Sequence, residues 1–260
     1  MTFVILDGVR HHVEAEGTGP PCVLTAGLGL TGSAWNPVVP LLTAHRTVIR
    51  FDRPGLGLSA PAPTWPTLAQ EAHRIARLLD ALDLPAPTPV TVAGHSLAGF
   101  HAEAFARLHP SRTGALVLIE SSVEQNPHPR RAGAARNTCT RACAGLLRTA
   151  GAPRSWPATL AEYATYRDEA VDLARLRERC PLPDIPIRVL ATGSKRWLSR
   201  QRALAETLNG TFHPITDGRA GHLPMRNCPQ EVAHALLVPN RQVNGADRSR
   251  RTPRQETPPR

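Results

Sequence analysis

A serine hydroxyl becomes a strong nucleophile only when a base removes its proton and nearby donors accept the charge its attack creates. The segment Gly94-His95-Ser96-Leu97-Ala98-Gly99 has the make-up such a serine needs. It follows a β-branched run at residues 90–93 and opens a helical pattern over 97–108, so Ser96 lies in a strand-to-helix turn. A sharp turn there crowds the backbone two residues to either side, which calls for small side chains. Gly94 and Ala98 are small, and although Ala98 departs from the second glycine of a strict GxSxG, Gly99 follows at once.

His222 is the candidate base, since it follows Gly221 in a loop between a strand expected at 211–215 and a last helix expected at 229–237. His11, His12, His45, His73 and His109 fall where solvated faces or element ends are the simpler reading. His95 adjoins the nucleophile, but adjacency in a tight turn points its ring elsewhere.

The base needs an acid to fix its tautomer and stabilise the imidazolium. Glu120 ends the strand expected at 115–119, where a parallel sheet displays its functional side chains. Its plainer role would be an N-cap or a loop salt bridge. Asp217, close to His222 in sequence, competes for the same task, although neighbouring loop acids usually face solvent. The oxyanion donors expected are the backbone amides of Leu97, directly after the nucleophile, and of Leu28, in Gly27-Leu28-Gly29. Each such donor is typically worth about 3 kcal/mol in the transition state.

These residues must be positioned by a sheet. Residues 4–6 and 9–16 read as two strands joined at Asp7-Gly8, a hairpin-turn dipeptide. Short apolar strands follow at 22–26 and 47–51, the second running into Asp52-Arg53-Pro54-Gly55-Leu56-Gly57, a tight loop. Leu68, Ala72, Ile75, Leu79 and Leu82 recur at helical spacing behind a capping box of Thr67 and Gln70. Strands at 187–191 and 211–215 then alternate with helices at 201–208 and 229–237. Such alternation predicts an α/β fold with a largely parallel sheet and helices on both faces.

Residues 123–185 break the rhythm with helical patterns and no strand, and are expected to form a helical lid inserted into a core of residues 1–122 and 186–238. Within the lid, Thr159 and Glu162 predict a capping box for a helix running to about Arg179, where Cys180-Pro181 ends it.

Composition bounds the rest. At 260 residues the chain suits one large α/β domain, which would bury roughly three quarters of its unfolded surface. No apolar run approaches the ~18 residues of a membrane span. The N-terminus lacks the basic start and cleavage site of a signal peptide, so a cytoplasmic location is expected. Five cysteines with no close CxxC pair argue against a disulfide framework or a structural zinc.

The net charge of +10 owes almost everything to arginine, Lys195 being the only lysine. Of it, +4 falls in residues 239–260, a basic Pro/Arg-rich tail expected to be disordered, and Arg130, Arg131, Arg136, Arg141, Arg148 and Arg154 cluster in the first half of the lid. No nucleic-acid-reading motif or aromatic stacking set accompanies the charge, so no nucleic-acid partner is expected.

With these pieces in place the chain resembles the α/β-hydrolase superfamily over roughly residues 3–238. The resemblance rests on Ala26-Gly27-Leu28-Gly29, on Asp52-Arg53-Pro54-Gly55-Leu56-Gly57-Leu58-Ser59, on Gly94 to Gly99, and on Gly221-His222. It implies an eight-stranded, mostly parallel sheet with one antiparallel strand near its start and a helical lid after strand six. Most relatives have His where Ala26 stands. Their triad acid usually follows strand seven, but Ala191-Thr192-Gly193-Ser194-Lys195-Arg196 holds no carboxylate. A subset places the acid after strand six, the position of Glu120. The resemblance gives the Asp52 to Ser59 segment a structural role near the active site and no catalytic one.

The function expected is hydrolysis of a carboxylic ester or related small acyl compound through an acyl-serine intermediate, with no cofactor and no metal. A serine in place of an aspartate argues against the epoxide-hydrolase and dehalogenase members. Acyltransferases, thioesterases, cofactor-free lyases and haloperoxidases share the fold and stay open. A catalytically inactive, hydrolase-like binding protein is the alternative from another class, against which intact Ser96 and His222 speak. The arginine cluster of the lid would suit an anionic substrate, but a solvated face is the simpler reading.

Overall fold

Asp7 and Gly8 take positive φ, 51° and 74°, as the two central positions of a tight hairpin require. The chain folds back there, pairing β1 (Thr2–Leu6) antiparallel with β2 (Val9–Glu16). The structure is a computed structural model that describes residues 2–84, 86–124, 143 and 155–237. It continues through β3 (Pro21–Thr25), α1 (Val39–Leu42), β4 (Thr47–Phe51), α2 (Leu68–Ala81), β5 (Val90–His95), α3 (Ala98–Leu108) and β6 (Thr113–Ile119). After these come α4 (Trp156–Arg179), β7 (Ile187–Ala191), α5 (Lys195–Thr207), β8 (Thr211–Pro214), α6 (Pro224–Asn227) and α7 (Pro229–Leu236).

The eight strands form one sheet in the order β1-β2-β4-β3-β5-β6-β7-β8. β2 runs against both its neighbours, and every pairing from β4 to β8 is parallel. The eight-stranded, mostly parallel sheet with helices on both faces expected from the sequence is the one that forms. At the far edge, β8 has four mostly exposed residues and ends in Pro214.

Successive side chains of a strand point to opposite faces, so buried strands feed two cores. Val23, Ile49, Val92, Leu116, Leu118 and Val189 join the apolar faces of α2 and α3 on one side. Cys22, Leu24, Val48, Ala93, Val117 and Leu190 meet α1 and α7 on the other.

The helices show where local pattern was sufficient. Thr67 Oγ1 accepts from the Gln70 amide at 3.3 Å, capping α2 as expected. α5 begins at Lys195, ahead of the expected residue 201, because Ser194 caps it by accepting from Trp197 N at 3.3 Å. Its first turn is basic and exposed, so apolar spacing does not report it. α4 already starts at Trp156, which contradicts the capping box assigned to Thr159 and Glu162. Both residues lie inside the helix, where the Thr159 hydroxyl donates to Ser155 O (3.0 Å) and Glu162 reaches Arg53. The six lid arginines and the tail from residue 239 lie outside the described residues.

His11 and His12 also depart from expectation, for both are buried. One face of β2 is covered by α2 over His11 and the other by the loop after β4 over His12. Arg74 of α2 donates to His11 Nε2 at 3.1 Å, and His12 Nδ1 donates to Asp52 Oδ2 at 3.0 Å.

Asp52 is thereby the knot of its loop. Its buried carboxylate also accepts from the Gly32 amide (2.9 Å) and the Leu58 amide (3.0 Å). Gly57 has φ 51°, and a Cβ there would collide with that carboxylate. Asp52→Asn offers one acceptor oxygen where two are used, and turns an amide N–H toward existing donors. It should lower unfolding free energy by about 2–3 kcal/mol, read as a lower urea midpoint at unchanged slope.

Candidate active site

β5 and β6 are parallel neighbours in register, His95 opposite Ile119, so the residues that follow them emerge side by side. Ser96 and Glu120 both leave the sheet with left-handed backbone, φ 52° and 50°. Such conformations cost about 1–3 kcal/mol each for a residue with a side chain and persist only when neighbours enforce them. Here the enforcement is mutual. Ser96 N donates to Ile119 O (3.1 Å), Ser122 N to Ser96 O (3.0 Å), and Glu120 N to Leu190 O (2.8 Å). A Cβ on Gly94 would collide with the Ala98 carbonyl, and one on Gly99 with Ser121 Oγ. The turn therefore demands the small residues the sequence supplies.

Three predicted side chains come together. His222 Nε2 lies 3.1 Å from Ser96 Oγ, and His222 Nδ1 lies 3.2 Å from Glu120 Oε2. Glu120 is 3 % exposed, and both its oxygens receive further donors: Thr192 N reaches Oε1 at 2.6 Å and Trp197 Nε1 reaches Oε2 at 3.1 Å. The loop after β7, which lacks an acid, thus holds the acid supplied by β6. Asp217 is not brought to His222. It is half-buried and bonded to Arg219, whose side-chain hydrogen bonds hold its carboxyl down at about 2.

Of the two predicted oxyanion donors, one belongs to the serine's own turn and the other to the stretch that passes beside it at Gly27. Leu97 N belongs to the turn itself. The Gly27–Leu28 backbone passes so close that a Cβ on Gly27 would stand 3.1 Å from Ser96 Cβ and 2.7 Å from His95 Nδ1. Among the described residues neither the Leu28 nor the Leu97 amide finds an acceptor. No group of three or more His, Cys, Asp or Glu among the described residues is placed to hold a metal ion.

His95 is buried and turned away from the hydroxyl, as expected, but it has a task that sequence did not reveal. Its Nε2 donates to the carbonyl of His222 at 2.7 Å, tying the His222 loop to the strand-to-helix turn of Ser96. Burial pushes its pKa down to about 4, and the nearby His222 and Arg53 add to the fall. Trp197 and Thr192 were likewise not anticipated. Thr192 acts through its amide, which any residue but proline would supply, and Trp197 comes from a turn with no apolar period.

With the serine, base and acid in line beside a glycine-bare loop, the site has the layout of a known family. A family model described as "Alpha/beta hydrolase family" matches residues 22–235. The chain belongs to that family. This α/β hydrolase is 33% identical over 128 residues to a protein of Mycobacterium phage D29 provisionally named non-heme haloperoxidase, across 49% of this chain and 45% of that protein. It is 33% identical over 111 residues to a pimeloyl-[acyl-carrier protein] methyl ester esterase of Legionella pneumophila strain Paris, across 43% of this chain and 42% of the esterase. The α/β hydrolase therefore spans about half the length of the curated relatives it matches. Among solved structures it superposes on a thermophilic esterase of Thermogutta terrifontis with a TM-score of 0.69 at 24% identity, covering 90% of this chain and 94% of the other.

The buried imidazoles set a pH dependence. His95, and His11 through burial and then the adjacent Arg74, both have pKa lowered from 6.5 to about 4. Between those values the unfolded chain binds more protons than the folded one, so stability rises with pH. It should be full above about pH 6.5 and fall by about 3 kcal/mol per ring as pH drops toward 4. Urea melts across that range should show the slope, and His95→Gln should remove its share.

Proposed function

We propose that this α/β hydrolase cleaves small carboxylic esters or related acyl compounds through an acyl-serine intermediate. The observation that carries the proposal is the unbroken hydrogen-bonded line from Ser96 Oγ through His222 to the buried Glu120 carboxylate. That line meets the geometric demand of nucleophilic catalysis, a base within reach of the nucleophile and oriented by a third group.

In this reading His222 Nε2 takes the Ser96 proton as Oγ attacks the acyl carbon. Glu120 fixes the tautomer with the proton on Nδ1 and stabilises the imidazolium, while Thr192 N and Trp197 Nε1 keep the carboxylate oriented. The Leu28 and Leu97 amides accept the charge on the carbonyl oxygen. The imidazolium then returns its proton to the leaving alkoxide. Water, deprotonated by the same ring, attacks the acyl-serine, releases the carboxylic acid and restores the hydroxyl. Every proton in the cycle is moved by groups of this chain.

Two supports come from the comparisons. The family is one of hydrolases, and a relative that matches 43% of the chain is named for ester cleavage. Transfer of the acyl group to another acceptor would use the same first half-reaction, so the product must be identified.

Wild-type protein should be labelled stoichiometrically by a fluorophosphonate and should release free acid from short-chain aryl esters. Ser96→Ala should lose the label entirely. Glu120→Gln should lower kcat by something like ~10³–10⁴, because the amide leaves His222, Thr192 N and Trp197 Nε1 competing for one acceptor oxygen. Trp197→Phe removes one of those donors and should cost about tenfold. An unlabelled wild type would overturn the proposal in favour of a binding role for the scaffold.

A further inference from the structure

The most heavily bonded charged group near Ser96 is one that the mechanism above does not use. Arg53, in the loop after β4, is 3 % exposed and faces Glu162 of α4, itself 5 % exposed. Arg53 Nε donates to Glu162 Oε1 at 2.6 Å and Nη2 to Oε2 at 3.0 Å. The remaining donors turn to backbone: Nη1 bonds the Ala26 carbonyl and Nη2 the Gly27 carbonyl at 2.7 Å. Glu162 Oε2 in turn accepts from the Gly29 amide at 2.8 Å. A buried ion pair of this kind does little for stability compared with an apolar pair of the same shape, so its bonding pattern calls for another explanation.

We propose that Arg53, held by Glu162, is a positioning residue that sets the angle of the Leu28 oxyanion donor. The step is geometric. In a planar trans peptide the C=O and the N–H that follows it point in opposite directions. The Gly27 carbonyl is fixed by Arg53 and by Leu30 N at 3.0 Å, so the Leu28 N–H is directed away from the guanidinium. It has no acceptor among the described residues, and the same short stretch lies against Ser96 and His95 at Gly27. With the Ala26 carbonyl held as well, two successive peptide planes are pinned, and the Gly29 amide is pinned by the carboxylate. A loop of glycines, free to rotate on its own, is locked at three consecutive peptides by one ion pair.

The lock also involves α4. A Cβ on Gly29 would meet Thr159 Cγ2 at 2.8 Å, and one on Gly55 would meet Ala158 Cβ at 2.8 Å. The first turns of α4 therefore sit directly on both loops, and Glu162 carries the helix's position into the donor's angle. Asp52 and Arg53 divide the work, the former holding its own loop together with Gly32 and His12 and the latter holding Ala26 and Gly27.

The inference rests on the proposed acyl-serine chemistry, and its test separates the two. Full-length wild type is compared with Arg53→Lys, whose ammonium keeps the charge but cannot serve two carbonyls and a carboxylate in one plane. A paired Arg53→Met/Glu162→Met variant leaves no unpaired buried charge and keeps the test open if the single change fails to fold. Each is assayed for aryl ester turnover, for affinity toward an alkyl boronic acid that becomes a tetrahedral anion on Ser96, and for affinity toward the amide isostere of the substrate. Thermal midpoints are read alongside.

Losing the alignment of one donor should lower kcat by about 10–100-fold and weaken the boronic acid by the same factor, with KM and the amide isostere moved less than about threefold. A purely structural pair predicts otherwise: a lower thermal midpoint, with boronic acid and isostere weakened equally or not at all, and that result would overturn the inference. An active wild type with unaffected variants overturns it too and leaves the acyl-serine reading standing. A wild type that neither turns over nor binds the boronic acid overturns both.

Discussion

The site depends on two parallel strands ending at the same height. β5 and β6 are in register up to His95 and Ile119, and each is followed by a residue forced into left-handed backbone. Because the two turns bond to each other, neither Ser96 nor Glu120 can relax without moving its neighbour. The sheet provides the rigidity, the glycines provide the clearance, and only His222 must arrive from elsewhere. It does so on a loop tied by its own carbonyl to His95. Rigid elements thus hold Ser96 and Glu120, and a single loop brings His222 between them, which is how three groups are kept within tenths of an ångström.

Several charged side chains are buried inside this protein. α4 is docked by polar groups along one face: Glu162 on Arg53 at 2.6 Å, Glu169 on His101 at 2.8 Å, and Arg177 on Glu103 at 2.7 Å. Aliphatic residues share that face, but the buried polar contacts are the ones that discriminate between registers. Apolar contacts slide with little loss over a distance of one methylene, whereas a buried carboxylate facing the wrong partner is severely penalised. A helix seated this way has one acceptable position.

Much of this was legible in residue order. Ser96, His222 and Glu120 could be picked out because each role demands a residue type at a particular point of a strand or loop, and strands announce themselves by apolar runs. The missing carboxylate after β7 sharpened the choice of Glu120. What stayed hidden was long-range and aperiodic. Glu162 lies 109 residues from Arg53, and at the start of a helix it looks like a capping residue, a local role that competes with the tertiary one. His11 and His12 looked solvated because polar residues alternate little in β2, and only the packing of α2 over one face and of the Asp52 loop over the other shows that both are covered. Thr192 contributes a backbone amide, about which its side chain says nothing.

β8 ends the sheet, and the manner of its ending matters beyond the site. An edge strand offers a row of unpaired backbone groups to any other chain that can extend alongside it. Ile215 N turns inward to the Ala191 carbonyl at 2.7 Å, so the nitrogen of Pro214 faces outward, and it carries no hydrogen. With four residues in the strand and a donor missing at its end, an approaching copy finds too short a ladder to climb. At this edge the sheet is guarded against extension by brevity and by one absent proton.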